Sequence, residues 1–144
     1  MAQKMINITE TITHPQRLSP LTLAYVGDAV YEIYIRQHVV LKGGKPNKLH
    51  QRAISFVSAG AQSKIIHYIM QYLTNEEKDI VKRGRNSKSH TVPKNADIID
   101  YRYSTAFEAL IGYLYLSNNN ERLKQIIGMA INYIEKKDGE FDGG

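Results

Sequence analysis

The segment LAYVGDAVYEIYIRQHVV, residues 23–40, decides the fold class. Its apolar residues recur at the spacing of a long helix that belongs in a core. Gly27 and Asp28 stand in its most apolar part, although glycine costs a helix about 1 kcal/mol relative to alanine. A buried acid also needs a partner or a cation. Because a small residue lets other groups approach the backbone closely, this pair is the first candidate for a functional site.

The rest of the chain also shows helical spacing. Ser19 and Pro20 are typical of a helix start, Gly43 of a helix end, and Thr74 with Glu77 of a capping box. The pattern predicts a helix break at Ser58 or Gly60, and a short helix that ends near Gly84. Two further helices are expected from about residue 97 or 100 to 116 and from residue 121 to 137. No segment alternates like paired strands, so the sequence predicts an all-α fold.

Length and composition limit the organisation of the chain. Its 144 residues fit one domain, which we place at residues 19–136, with an N-terminal lead-in at 1–18 and a disordered tail at 137–144. The absence of cysteine excludes a disulfide framework and a thiolate zinc site. No apolar run approaches the roughly 18 residues of a membrane helix, and the N-terminus lacks a signal-peptide pattern. The expected location is the cytoplasm, with no membrane partner.

The positive charge is concentrated in one segment. The net charge is +5 (19 − 14), and residues 82–94 contain five basic residues and no acid. These basic residues are Lys82, Arg83, Arg85, Lys88 and Lys94. Such a cluster indicates a docking surface for a polyanion, and a simple solvated loop is the equally weighted alternative. A second group flanks Gly43 and consists of Lys42, Lys45, Lys48 and Arg52.

A second acid repeats the pattern of Asp28. The segment TAFEALIGYLYL, residues 105–116, contains the single acid Glu108 among apolar residues, with Gly112 one turn further on. Two such helices packed side by side would direct Asp28 and Glu108 at one point, where carboxylate oxygens suit Mg²⁺. The alternative is that both acids are solvated at helix edges. The histidines show no zinc-binding spacing, and no phosphate loop or serine-nucleophile motif is present.

These two segments resemble motifs of a known family. LAYVGDAVYE, residues 23–32, resembles the signature helix of the ribonuclease III family, usually close to LEFLGDAVL. TAFEALIGYLYL resembles the second acidic helix of that family, DxFEALIGAxYL. No double-stranded-RNA-binding domain follows residue 136. The block from residue 84 to residue 116 is particularly similar to the Mini-ribonuclease III subfamily, whose members are stand-alone catalytic domains.

The resemblance implies a helical bundle of the ribonuclease III endonuclease type. It further implies a homodimer and Mg²⁺-dependent cleavage of double-stranded RNA that leaves 5′-phosphate ends. The subfamily is associated with maturation of the precursor of large-subunit (23S) ribosomal RNA, which makes a ribosomal protein a candidate partner. Carried over by position, the catalytic and metal-binding residues are Asp28 and Glu108. Affinity for RNA is expected from the basic segment, in particular from Lys82, Arg83, Arg85, Asn86, Lys88, His90 and Lys94.

Two positions depart from the family pattern. Ala24 and Thr105 stand where the family has further metal-binding acids. Glu32, Asp97 and Asp100 are candidates to compensate in an outer shell. The two departures favour the chief alternative, a non-catalytic RNA-binding or ribosome-assembly module of the same fold. A third interpretation is a helical dimerisation domain whose acids are merely solvated.

Overall fold

The fold is built from α-helices. The computed structural model describes residues 4–6, 11–87, 94 and 97–142, with side chains as far as residue 136. The helices are α1 Pro20–Lys42, α2 Pro46–Val57, α3 Ala59–Ile69, α4 Asn75–Asn86, α5 Ile98–Leu116 and α6 Asn120–Asp142. Short 3-10 turns occur at Pro15–Arg17 and Met70–Tyr72, and no strand occurs among these residues. The predicted all-α class is confirmed.

Local capping explains where most helices begin and end. The Ser19 side chain accepts from the backbone N–H of Thr22, and Gly43, with φ of 80°, ends α1. Ser58 caps α3, and Thr74 forms the predicted capping box with Glu77 at the start of α4. These boundaries confirm the predictions. They could be predicted from the sequence because each depends on residues within one turn of the helix end.

Helix α5 is the centre of the bundle and packs against α1, α3 and α4. Phe107 on this helix is fully buried, and the ring of Tyr31 on α1 packs edge-on against it at 4.9 Å. The Tyr31 hydroxyl donates to the backbone carbonyl of Phe56 at 3.0 Å, which ties α2 to the same core. Burial raises the pKa of Tyr31 above its usual value. These contacts fix α1 and α5, which carry the two candidate acids.

Two predicted boundaries differ from the structure. Helix α4 does not end near Gly84 but continues to Asn86. Gly84 is a packing position, because a Cβ atom there would lie 2.8 Å from the Cα atom of Ala106 on α5. Helix α6 continues to Asp142, so the backbone of residues 137–142 is helical where a disordered tail is predicted. One glycine, Gly139, costs a helix only about 1 kcal/mol and does not end it.

The lead-in is attached to the bundle by a basic residue. The Arg83 guanidinium donates to the carbonyl of Gln16 at 2.9 Å and to the carbonyl of Leu18 at 3.3 Å. Pro15 in the first 3-10 turn is buried. Residues 15–18 therefore pack on α4.

None of the helices in the described segments is long and apolar enough to cross a membrane.

Candidate active site

Glycines bring α1 and α5 into backbone contact. A Cβ atom at Gly27 would lie 1.7 Å from the carbonyl oxygen of Glu108. A Cβ atom at Gly112 would lie 1.9 Å from the carbonyl oxygen of Leu23. No side chain larger than hydrogen fits at either position while the helices keep this separation. This close approach explains why a core helix contains Gly27.

The contact places the two predicted acids together. Asp28 is exposed, and Glu108 is partly buried. Burial raises the pKa of Glu108 to about 8, and the neighbouring carboxyl of Asp28 adds to this through like-charge repulsion and a shared hydrogen bond. The charge of Glu32 raises the pKa of Glu108 further. At neutral pH without a cation, the Glu108 carboxyl therefore retains its proton.

The acid pair lies at the side of an open groove. The groove has a volume of about 750 Å³ and is lined by Asp28, Glu32 and mainly apolar or aromatic side chains. These other lining residues are Tyr25, Val26, Ala29, Val30, Ile33, Tyr34, Gln37 and Tyr115. Carboxylates therefore adjoin an accessible surface that is large enough for a substrate or a partner subunit.

The positions of the missing family acids are filled by small buried residues. Ala24 is 6% exposed, and Thr105 is 7% exposed and donates its hydroxyl to the carbonyl of Tyr101. Asp97 caps α5 by accepting from the backbone N–H groups of Ile99 and Asp100. In the parts of the chain that are described, no three acid, histidine or cysteine side chains are grouped to hold a metal. The site therefore offers two carboxylates, with Glu32 as a further acid whose charge affects Glu108.

Two carboxylates fit a magnesium site. Mg²⁺ commonly uses one or two protein carboxylates and completes its coordination with water and substrate phosphate. The repulsion that raises the pKa of Glu108 is relieved when a cation lies between the acids. Asp28 and Glu108 are therefore the residues that would hold the ion.

The residues of the predicted RNA-binding segment have different environments. Lys82, Asn86 and Lys94 are exposed, and the Arg85 Nε donates to the side chain of Asn86. Arg83 bonds the lead-in, as described above. Lys88 and His90 lie outside the described residues. The segment is thus partly the last turns of α4 rather than a loop from Gly84 onward.

The second basic group is partly used within the fold. Lys42 forms an ion pair with Glu135, and Arg52 donates to the carbonyl of Gly43 at 2.7 Å. Lys45 and Lys48 are exposed at the start of α2. All four residues of this group are exposed to solvent.

Sequence reasoning missed one residue at the site. Gln62 on α3 is 2% exposed, donates from Nε2 to the carbonyl of Val57 at 3.1 Å, and lowers the pKa of the nearby Glu108. The available signal is its position in the apolar stripe that includes Ile65, Ile66 and Ile69. A glutamine on a buried face needs a specific polar partner.

Comparisons with known proteins show which family this chain resembles. The model of the ribonuclease III domain family matches residues 21–119. The chain is 47% identical over 126 residues to the Mini-ribonuclease 3 of Symbiobacterium thermophilum, covering 87% of this chain and 97% of that one. It is 50% identical over 133 residues to the Mini-ribonuclease 3 of Clostridium tetani, covering 89% and 88%. The chain belongs to the ribonuclease III family.

A solved structure supports the fold of this ribonuclease III. A crystal structure of a protein from Fusobacterium nucleatum superposes with a TM-score of 0.75 at 34% identity, covering 84% of this chain and 98% of that one. The predicted resemblance to the Mini-ribonuclease III subfamily is confirmed. The chain is therefore an endoribonuclease of the ribonuclease III type, and the alternative of a non-catalytic module is not retained.

Proposed function

We propose that this ribonuclease III is a Mg²⁺-dependent homodimer that cleaves double-stranded RNA in the precursor of large-subunit (23S) ribosomal RNA. The observation that supports it best is the contact between the Asp28 and Glu108 carboxyls beside an open groove. The ribosomal substrate, a ribosomal protein as helper and the cytoplasmic location rest on the resemblance to the subfamily.

The two acids account for the chemistry of the site. Mg²⁺ bound here would lower the pKa of a water molecule and stabilise negative charge on the scissile phosphate. Asp28 and Glu108 must both be ionised for this, so Glu108 gives up the proton that it holds in the metal-free state. Gly27 and Gly112 fix the distance between the helices that bear the acids. In-line attack by water then yields a 5′-phosphate and a 3′-hydroxyl.

An exposed apolar surface supports the dimer. Tyr25 is 81% exposed, Leu41 79%, Ile33 63%, Val40 61% and Tyr115 48%. Four of these residues lie on α1, and Tyr25, Ile33 and Tyr115 line the groove beside Asp28. A concentration of large apolar side chains on a soluble domain is typical of an interaction surface. A twofold axis through this surface would place two acid pairs on one duplex, one for each strand.

The basic segment supplies the affinity for RNA. Lys82, Arg85, Asn86 and Lys94 would contact phosphates and 2′-hydroxyls of the A-form backbone, as would Lys88 and His90. Phosphate contacts release counterions, so binding should fall steeply with salt. Arg83 contributes by its charge while its guanidinium bonds the lead-in.

A cleavage assay tests the proposal. A perfect RNA duplex, the paired ends of the 23S precursor and a single-stranded control are incubated with wild type or Asp28→Ala, in Mg²⁺ or EDTA. We expect wild type to cut both duplexes only in Mg²⁺, to prefer the precursor and to leave 5′-phosphates. Cleavage in EDTA would contradict the metal assignment, and equal rates on both duplexes would contradict the preferred substrate. Light scattering gives the mass, and a mass of one chain would contradict the dimer.

A further inference from the structure

Three tyrosines form an aromatic surface where α3 and the 3-10 turn after it pack against α6. The rings of Tyr68 and Tyr133 are stacked, with centroids 4.7 Å apart and planes inclined by 16°. The ring of Tyr72 meets that of Tyr68 edge-on, with centroids 5.8 Å apart. Tyr68 is 38% exposed and Tyr72 is 49% exposed, so solvent reaches both rings. We call these three residues the tyrosine platform.

The tyrosine platform is separate from the features to which a function has been given above. None of its three residues lines the groove beside Asp28 or belongs to the basic segment. The packing of α3 on α6 accounts for the stacked pair, but it does not require an aromatic ring at the half-exposed Tyr72. Tyrosine rings that are clustered and this exposed are typical of a contact with another molecule.

Lysines flank the tyrosine platform on both helices. Lys64 is exposed one turn before Tyr68 on α3, and Lys136 is exposed one turn after Tyr133 on α6. Residues three or four apart share a helix face, so each lysine adjoins its tyrosine. Tyr68 raises the pKa of Tyr72, and the charge of Lys136 acts in the opposite direction, which agrees with a position of Lys136 near Tyr72.

The acids described on these elements do not cancel this positive charge. Helix α3 and the 3-10 turn after it contain none. On α6, Glu135 forms ion pairs with Lys42 and His38. Glu121 lies twelve residues (133 − 121) before Tyr133, which is about 18 Å along the helix. The tyrosine platform therefore combines exposed rings with a local excess of positive charge.

This combination is the one that binds single-stranded nucleic acid. Every base has a flat face that stacks on an aromatic ring, and positive side chains bind the phosphates between the bases. Bases within a duplex already stack on each other, so aromatic side chains recognise unpaired nucleotides in RNA. An acidic peptide would match the lysines as well, but it would leave the ring faces without a flat partner.

We propose that the tyrosine platform binds unpaired nucleotides next to the duplex that the enzyme cleaves, with a base stacked on Tyr72 and phosphates at Lys64 and Lys136. The inference rests on the proposed RNA substrate and adds a second contact with the same molecule. Tyr68 lies six residues after Gln62, the α3 residue near Glu108, which is about 9 Å along the helix. A short single-stranded extension of the duplex therefore suffices to reach the tyrosine platform from the acids.

Fluorescence anisotropy in EDTA tests the inference because it measures binding without cleavage. The ligands are a blunt RNA duplex, the same duplex with a single-stranded extension at its 5′ or 3′ end, and a third duplex whose extension is abasic. Wild type should bind the extended duplex at least about fivefold more tightly than the abasic one, because a stacked base contributes a factor of roughly 5 to 150. Equal affinities for these two ligands would overturn the inference, and this comparison needs no variant.

Two variants of Tyr72 locate the contact. Tyr72→Ala should remove the preference for the extended duplex and change the affinity for the blunt duplex by less than about twofold. Tyr72→Phe keeps the ring and should keep the preference. An equal loss of affinity for blunt and extended duplexes in Tyr72→Ala would overturn the inference. A lower mass of Tyr72→Ala in light scattering would also overturn it, because the surface would then be an interface between subunits.

A pair of lysine variants tests the phosphate contact. Lys136→Ala should reduce the salt dependence of binding to the extended duplex by about 0.7 in the slope of log affinity against log salt. Lys124→Ala is the matched control, since this exposed lysine is also on α6 but about two and a half turns before Tyr133, on the opposite face. Equal slopes in the two variants would overturn the inference, as would displacement of the extended duplex by an acidic peptide but not by single-stranded RNA. Failure of wild type to bind and cleave the blunt duplex in Mg²⁺ would instead refute the proposed function.

Discussion

Replacing Glu108 by glutamine should stabilise the metal-free protein while abolishing cleavage. Glu108 is an acid whose pKa rises from 4.5 in the unfolded chain to about 8 in the fold, because it is buried and lies against Asp28. The folded state therefore binds this proton more tightly than the unfolded state does. The stability that this provides is complete below pH 4.5 and is lost as the pH rises through about 8. Glutamine has nearly the same shape as glutamic acid and carries no charge, so the variant keeps this stability as the pH rises.

The magnitude follows from the pKa difference of about 3.5 (8 − 4.5). Each pKa unit corresponds to about 1.4 kcal/mol, which gives an upper limit of about 5 kcal/mol above pH 8. At pH 7 the unfolded chain has released the proton and the folded chain still holds it, so the limit there is about 3 kcal/mol. For a chain of this length, such a gain raises the melting temperature by roughly 10 °C.

Thermal unfolding between pH 5 and pH 9 in EDTA measures this effect. Wild type should lose stability across the range relative to Glu108→Gln, and the difference should grow with pH up to about 8. Glu121→Gln removes one exposed acid on α6 and serves as the control, with a small effect at every pH. Mg²⁺ should stabilise wild type and leave Glu108→Gln nearly unchanged. A variant that is no more stable than wild type at pH 9 would refute the raised pKa of Glu108 that burial and the Asp28 carboxyl together cause.

Three further predictions, two of them with a control variant, concern the site and its surroundings. Asp28→Ala should abolish cleavage and leave RNA binding in EDTA intact; cleavage at the wild-type rate would contradict the metal assignment. Gly27→Ala should cost roughly 3 kcal/mol or more in unfolding free energy and end cleavage, because its Cβ would lie 1.7 Å from a carbonyl oxygen. A Cβ atom at Gly128 on α6 would have no neighbour within 4 Å among the described residues, so Gly128→Ala should gain up to about 1 kcal/mol in unfolding free energy; equal effects of the two substitutions would contradict the close contact at Gly27. Arg85→Ala should weaken RNA binding and flatten its salt dependence, whereas Arg83→Ala should mainly lower stability. An unchanged salt dependence in Arg85→Ala would contradict the proposed contact between Arg85 and RNA phosphate.

Features that depend on neighbouring residues in the sequence were the ones that could be predicted. The cap at Ser19 and the capping box at Thr74 act within one turn, and their positions agree with the structure. Gly84 shows the limit of this reasoning. A glycine near a helix end is typical of termination, but this one permits contact with Ala106 on α5, which is distant in sequence. The residues around Gly84 in the sequence do not indicate which helix packs against it.

The site also contains residues that the sequence motifs identify and one that they do not. The two motifs identify Asp28 and Glu108 because the family pattern includes both, and the proximity of the carboxyls agrees with that assignment. Gln62 belongs to neither motif and reaches Glu108 from a third helix. Its segment, AQSK, has the composition of an ordinary helix surface. Its spacing from Ile65, Ile66 and Ile69 indicates a buried position, but only the packing of α3 on α5 shows that the side chain lies near Glu108.

The glycine contact and the acid pair act in opposite directions on stability. Gly27 and Gly112 allow α1 and α5 to pack backbone against backbone, which strengthens the centre of the bundle. The same contact buries Glu108 and brings the Asp28 carboxyl close to it, and both raise the pKa of Glu108, which weakens the metal-free fold at and above neutral pH. Because a cation removes that repulsion, part of its binding free energy appears as folding stability. The bundle must therefore be rigid enough to hold an arrangement that its own charges oppose, and the fully buried side chains of α5 provide that rigidity.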